Sequence, residues 1–367
     1  MQKRILISIV SFFFPILIVS VLSTESCAAE KFDLNLRLKP GKKYNMRIIR
    51  EDKISHTMMG QQRDINHSKT MGLGFEVKGV DTNGIASIKV TYQALKEKTT
   101  GTGTTALFEY DSTDPCTAVG NPLAPTYTAL MGQSFTIRVT PKGEIVELKD
   151  LDEMFLQMAK KMVVAEDKLI SKVPATTCEK KEDNSSTAAG KAQEQVSDEE
   201  KAKKRIDRIN KRYGSREKRI EALKEITKNH PLFTEQQIRE MVSNVIMPLP
   251  AGTVGVGDVW KVKMSLPSMF PSDIDSTCML KAAERGVVSV DISSKIMLDE
   301  KGVPAKKGAP AMEMTGTGSY QGSLQIDETS GWLIRKKTDL RFSGETKSQG
   351  TTMLMSMESK IAVEPIN

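Results

Sequence analysis

Apolar residues recur at every second position over much of the first 150 residues. Phe32, Leu34, Leu36 and Leu38 alternate with polar neighbours, and Pro40-Gly41 then marks a turn. Tyr44, Met46 and Ile48 resume the alternation. Met71, Leu73, Phe75 and Val77 share one parity, and Ala86, Ile88, Val90 and Tyr92 follow the same rule. Period two places each set on one face of a pleated strand. Asp81-Thr82-Asn83-Gly84, between the last two sets, supplies the positive φ that a tight hairpin needs. Phe135, Ile137 and Val139 form a further strand, Pro141-Lys142-Gly143 turns it, and Ile145 to Leu148 returns.

The period changes after Asp150. Leu151, Met154, Phe155, Met158 and Met162 recur at three- and four-residue spacing, which predicts an amphipathic helix to about Lys172 with a core-facing stripe. Pro174 to about Gln195 has almost no large apolar residue, so it cannot bury enough surface to offset chain entropy and reads as a linker. A charged helix is expected next, opened by the capping-box spacing of Ser197 and Glu200. Its thin apolar stripe is Ile206, Ile209, Ile220, Leu223 and Ile226. Thr234 is an N-cap with Gln237 at the reciprocal position, and Phe233 and Ile238 are placed as a hydrophobic staple. These predict a short helix from Glu235 to about Ile246, stopped by Pro248 and Pro250.

Alternation then returns in Val288, Val290 and Ile292, in Leu324 and Ile326, and in Leu340 and Phe342. It ends with Met353, Met355 and Met357 on one strand face. The segments 135–148 and 324–340 share a grammar of strand, Gly-containing turn and strand. The fold class is therefore α+β: a mainly antiparallel, curved sheet in two strand-rich halves, packed with interposed helices. The organisation expected is a signal peptide over 1–29, a strand-rich half over 30–173 ending in the amphipathic helix, a charged linker and helix over 174–228, and a short helix with a second strand-rich half over 229–367.

The amino terminus carries an address. Lys3 and Arg4 precede an apolar run from Ile5 to Leu22, and Cys27-Ala28-Ala29 offers small residues for cleavage before Glu30. That is the three-part secretory pattern, and it predicts an exported protein. Two alternatives use the same residues: an uncleaved anchor, since the run approaches the roughly 18 residues of a span, and a lipoprotein lipidated at Cys27. Pro15 within the run favours cleavage, and Glu25 departs from a lipobox.

Composition narrows the partners. Net charge is +7 over 367 residues, and removing residues 1–29 takes away Lys3, Arg4 and Glu25, leaving +6. Lys and Glu alternate rather than cluster, so no phosphate-binding footprint forms and nucleic acid is not an expected partner. Of Cys27, Cys116, Cys178 and Cys278, cleavage leaves the last three. An oxidising compartment then permits one disulfide, with three pairings open.

Familiar chemistries are missing. His56, His67 and His230 have no metal-ligand neighbour at helical spacing, and each reads as a surface residue. No Gly-x-Ser-x-Gly elbow occurs, and no base is identifiable for Cys116. Gly101-x-Gly103-x-x-Ala106 imitates a dinucleotide fingerprint but leads into the strand-like Leu107-Phe108-Glu109-Tyr110 rather than a helix. Met353, Met355 and Met357 are soft enough for Cu(I), yet residues two apart on a strand are one face and Met fills cores readily. Asp111 with Asp114, and Asp273 with Asp275, are paired acids without a demonstrable cleft. No catalytic residue, cofactor or metal site is assigned, and the chain is not expected to be an enzyme.

Four segments together resemble a known family. They are Leu38-Lys-Pro-Gly-Lys-Lys-Tyr44, Phe108-Glu-Tyr-Asp-Ser112, Met131-Gly-Gln-Ser-Phe-Thr-Ile-Arg-Val-Thr-Pro-Lys-Gly-Glu-Ile-Val146 and Leu249-Pro-Ala-Gly-Thr-Val-Gly-Val-Gly-Asp-Val-Trp260. In this order they resemble an exported bacterial family catalogued as domain of unknown function 6263, over about 31–365 except the charged insert at about 174–228. The resemblance implies an envelope location and a β-rich fold, and carries no activity or catalytic residue. The function expected from the strand pattern is non-catalytic binding of an apolar or amphipathic ligand, or of a protein partner, in a groove lined by Leu73, Phe75 and Tyr92. The alternatives are a scaffold whose insert at about 197–228 docks a partner, and an envelope hydrolase.

Overall fold

The structure is a computed structural model. It describes residues 30–58, 60–102, 106–118, 121–171, 211, 214–230, 233–265, 273–303, 312–348 and 351–366. The secretory segment with Cys27, the linker at 174–195 with Cys178, the capping box at Ser197 and the fingerprint residue Gly103 lie outside the described residues.

The alternating segments form strands. They are β1 (Lys31–Phe32), β2 (Lys43–Met58), β3 (Gln61–Val80), β4 (Ala86–Gly101), β5 (Ala106–Asp111), β6 (Ser134–Val139) and β7 (Ile145–Lys149), then β8 (Val254–Gly255), β9 (Val259–Ser265), β10 (Asp273–Glu284), β11 (Val287–Val303), β12 (Met312–Asp327), β13 (Leu333–Ser348) and β14 (Thr351–Pro365). The helices are α1 (Ala124–Leu130), α2 (Leu151–Ser171), α3 (Arg216–Lys228) and α4 (Glu235–Ser243). One antiparallel sheet runs in the order β7-β6-β4-β3-β2-β14-β13-β12-β11-β10-β9, with β5 also on β4, and it does not close on itself.

Registers follow the apolar parity. Tyr44, Met46 and Ile48 sit opposite Phe75, Leu73 and Met71, Val77 opposite Ile88, and Ile88 opposite Ile137. A slip of one residue would turn every one of these side chains to the other face. Asp81 holds the β3–β4 turn by accepting from the backbone N–H of Asn83 and Ile85. The strand groups on either side of the helices meet where β14 pairs with β2, from Pro365 opposite Met46 to Met353 opposite Met58.

The hairpins at 135–148 and 324–340 are both present, and the same segment ties down their turns. The Leu36 N–H donates to the Pro141 carbonyl, and the Arg37 N–H to the Ser330 carbonyl. Gly143 and Gly331 have φ of +79° and +69°. A side chain on either would also collide with backbone, that of Met247 or of Asn35. Next to the second turn, the Trp332 indole stacks on Tyr44 at 4.1 Å and takes the edge of Phe75 at 5.4 Å.

Three expectations need correction. The alternation at Phe32–Leu38 buries Phe32, Leu34 and Leu38, but only Lys31–Phe32 pairs as a strand, with β8. The hydrogen bonds of Leu36 and Arg37 go to turns instead of a ladder. The last short helix ends at Ser243 rather than Ile246, because Asn244 already occupies its C-cap. In the charged segment, whose expected start at Ser197 lies outside the described residues, α3 follows the N-cap Ser215 and buries Arg219 and Thr227, while Ile226 of the expected apolar stripe is 63% exposed. Ion pairs hold α3 on α2: Arg219 to Asp167 at 2.9 Å and Lys228 to Asp152 at 2.9 Å.

The cysteines resolve further. Cys116 is disulfide-bonded, and Cys278 is free and buried. Pairings that use Cys278 are therefore excluded, and the partner of Cys116 lies outside the described residues. Burial pushes the Cys278 thiol up to about 12.

Candidate functional site

Helix α4 organises the site. Thr234 accepts a hydrogen bond from the Gln237 N–H at 3.3 Å, and Phe233 and Ile238 are both buried, so the predicted cap and staple set the helix in place. It packs against β7 at one end of the sheet and against β9 at the other. A cavity lies on each side of it, and Glu240 and Asn244 belong to both walls.

The first cavity, about 120 Å³, lies between α4, α1 and the strands β2 to β4. Its apolar wall includes Ile48, Met71, Tyr92, Leu95, Leu130 and Met241, and its polar wall includes Arg50, Lys69 and Glu240. The polar wall follows from strand parity. Met46, Ile48, Arg50, Asp52 and Ile54 share one face of β2, and opposite them on β3 stand Leu73, Met71, Lys69, His67 and Ile65. The same alternation that fills the core thus brings two rows of charged residues inside, with apolar rows above and below.

These charges form one network of three cations and three carboxylates. Arg50 meets Asp52 at 2.8 Å and Glu240 at 3.6 Å. His67 lies 3.3 Å from Asp52 through Nδ1 and 2.9 Å from Glu97 through Nε2. Lys69 meets Glu97 at 3.0 Å and lies 5.7 Å above the Tyr127 ring. Arg50, His67 and Lys69 are balanced by Asp52, Glu97 and Glu240. The hydrogen bonds to Asp52 and Glu97 outweigh burial and raise His67 to about 9. Burial opposes ionisation of Glu97, but the His67 hydrogen bond and the Lys69 charge outweigh it and hold the carboxyl at about 2. Asp52 is lowered in the same way: burial opposes, and His67, Arg50 and Ser359 prevail. His67 is therefore a doubly protonated imidazolium at neutral pH, with both ring nitrogens donating. It has no lone pair to offer a proton or a metal.

The second cavity, about 70 Å³, lies between α4 and strands β9, β10, β12, β13 and β14. Ile274, Tyr320, Ile361 and Lys336 line it. Lys336 is 1% exposed. Its polar partner among the described residues is the side-chain carbonyl of Asn244, which accepts from Nζ at 3.3 Å, and no carboxylate of the described residues lies within ion-pair distance. The Thr338 hydroxyl, at the next inward position of β13, is buried without a hydrogen-bond partner among the described residues.

Of the residues expected to line a groove, Tyr92 reaches the wall of the first cavity. Leu73 and Phe75 are buried in the core cluster. The expectation of a surface position fails for His67, which sits inside the charged network. Arg50, Asp52, Lys69 and Lys336 carry no motif, although one signal in the sequence marks them all. Continuing the parity of Met46 and Ile48 forward, of Met71 backward, and of Leu340 and Phe342 backward reaches each as an inward position. Met357 is 1% exposed and Met355 packs against the core, so at least these two thioethers serve packing.

Comparisons with known proteins add little beyond a family. No curated protein matches the chain. A structure of lipid–protein interactions in lipovitellin aligns over 90% of this chain with a TM-score of 0.40 and 8% identity, and this chain spans 25% of its length. An outer membrane channel from Pseudomonas putida F1 aligns over 91% of this chain and 98% of its own, with a TM-score of 0.17 and 6% identity. OccAB1 of Acinetobacter baumannii aligns over 91% and 68%, with a TM-score of 0.13 and 7% identity. Likenesses this weak carry no argument about fold or ligand. A sequence family matches residues 83–176 and 200–333. The match begins after the Leu38–Tyr44 motif and takes in residues 200–228, so this part of the charged segment belongs to the family and is not an insert. More than half of the chain is covered, and the protein belongs to this family of unknown function, DUF6263.

Proposed function

We propose that this is an exported envelope protein that binds an amphipathic ligand, without catalysis, between α4 and a curved sheet. The observation that carries the reading is the position of α4. It meets both end strands of one unclosed sheet and leaves a cavity on each side, with apolar and charged walls facing each other. Contact of one short helix with both ends supports curvature, since a flat sheet of eleven strands at about 4.8 Å spacing would separate its ends far beyond the reach of a helix. The neutral balance of the first cavity suits an apolar group that leaves its ion pairs intact. The locked imidazolium of His67 supports a binding role over acid–base chemistry. Export rests on Lys3, Arg4, the run 5–22 and Cys27-Ala28-Ala29.

The test is nuclear magnetic resonance of methionine methyl groups in the chain beginning at Glu30, titrated with n-decanol. Saturable shifts at Met71 and Met241 are expected, and Met241→Trp, which fills the cavity, removes the Met71 shift. Absence of a saturable shift at either methyl overturns the reading. Mass spectrometry of the mature protein checks export: an amino terminus at Glu30 is expected, and an intact residue 1 refutes cleavage.

A further inference from the structure

A buried ammonium is costly to desolvate, and it persists inside a fold when a counter-charge or several strong acceptors replace its water. Lys336 is buried as completely as the leucines around it, yet it has one neutral acceptor at a long 3.3 Å. An ammonium has three protons to donate. Glu240, the carboxylate on the same cavity wall, places its Oε1 3.6 Å from Arg50 on the other side of α4. Lys263, on edge strand β9, also borders the cavity but is exposed to solvent. Lys336 is therefore an under-coordinated cation in this wall, whereas Arg50, His67 and Lys69 beside the first cavity each have a carboxylate within 3.0 Å. The second cavity's volume of about 70 Å³ exceeds the roughly 10–15 Å³ that one water needs, so a head group of a few atoms fits.

We propose that the second cavity receives the carboxylate of an acidic ligand, with Lys336 as its counter-ion and Asn244 beside it. This rests on the amphipathic-ligand reading and specifies it: the head is a monoanion, and the tail is the apolar part expected beside α4. Charge-assisted hydrogen bonds to a carboxylate give Lys336 the partners that the chain itself does not supply. A neutral alcohol of equal length offers one weaker acceptor and leaves the ammonium without a counter-charge.

The experiment titrates the chain beginning at Glu30 by calorimetry with sodium decanoate, n-decanol and sodium acetate, using wild type, Lys336→Met and Asn244→Asp. Decanoate is expected to bind at least about tenfold more tightly than decanol in wild type, the scale of one charge-assisted pair. Lys336→Met should abolish the preference and bring decanoate and decanol to comparable affinities. Asn244→Asp supplies an internal carboxylate within reach of Lys336, so it should abolish the preference in a protein whose lysine is intact. It thereby keeps the test decisive if Lys336→Met fails to fold. Equal affinities in wild type, or a preference that survives both substitutions, overturns the carboxylate site while leaving the amphipathic reading in place. Acetate that competes with decanoate, in a protein that gains nothing from the decyl chain, upholds the anion site and refutes the amphipathic reading. Binding of none of the three probes refutes both.

Discussion

The two sides of α4 are built from the same kind of strand and hold opposite electrostatics. Toward β2, β3 and β4, three cations face three carboxylates within one network, and His67 is the bridge between Asp52 and Glu97. Toward β13 and β14, a single ammonium from Lys336 is buried against an amide. The first arrangement is self-sufficient, because each charge has its opposite in place before any ligand arrives. The second is incomplete. Buried charge therefore does not by itself mark a binding site; buried charge without its complement is what makes the second cavity the candidate.

The comparison breaks most clearly at Asp52. Asp52→Ala leaves Arg50 and protonated His67 short of a buried partner, and is expected to cost about 3–5 kcal/mol, read by urea unfolding at pH 6. A loss below about 1 kcal/mol would mean that the network is not the integral unit described above. A smaller effect is expected from His67→Gln, about 1.5–3 kcal/mol at pH 6, the scale of hydrogen bonds to charged groups. Its pH dependence gives the sharper test. His67 is raised from 6.5 to about 9, so its contribution is complete below pH 6.5 and is lost as the pH rises through about 9. Glu97 is lowered from 4.5 to about 2, so its contribution is present above pH 4.5 and is lost as the pH falls toward 2. Stability from this network should be level between about pH 4.5 and 6.5 and fall on both sides. His67→Gln should flatten the alkaline limb, and a limb unchanged by the substitution assigns it to another group.

The smallest effect carries the opposite sign. Lys336→Met replaces an ammonium that lacks a counter-charge by an apolar chain of similar length, and a gain of about 1–2 kcal/mol in unfolding free energy is expected without ligand. If Lys336→Met instead destabilises as much as Asp52→Ala, the ammonium has an internal partner and the contrast between the two cavities disappears.

Much of the sheet is legible in the sequence. Met71 to Val77 and Ala86 to Tyr92 are the buried stretches of adjacent strands, and Asp81–Gly84 is their turn. Thr234 caps α4, as its spacing to Gln237 indicated. These succeed because hairpins and caps are local: the residues that define them lie within a few positions of one another. The alternation at Phe32–Leu38 shows the limit. It reports burial correctly and strand pairing wrongly, because parity says which face is dry and nothing about which backbone stands alongside. The candidate site was less legible. Tyr92 was placed near a groove, but Arg50, Asp52, His67, Lys69 and Lys336 looked solvent-exposed because polar residues usually are.

What the sequence by itself determined is the set of strands, their inward faces and the short capped helix, since each depends on the period of apolar residues and on the chemistry of single turns. Tertiary structure decided the rest. It paired β2 with β14, residues as far apart as Met46 and Pro365, and it laid α4 between the two ends of the sheet. The same inward face that carries Met46 and Ile48 then carries Arg50 and Asp52 beneath a helix instead of into water. Whether a charge on that face is matched or left alone depends on which strand becomes its neighbour, and pairing between distant strands is written in no local pattern.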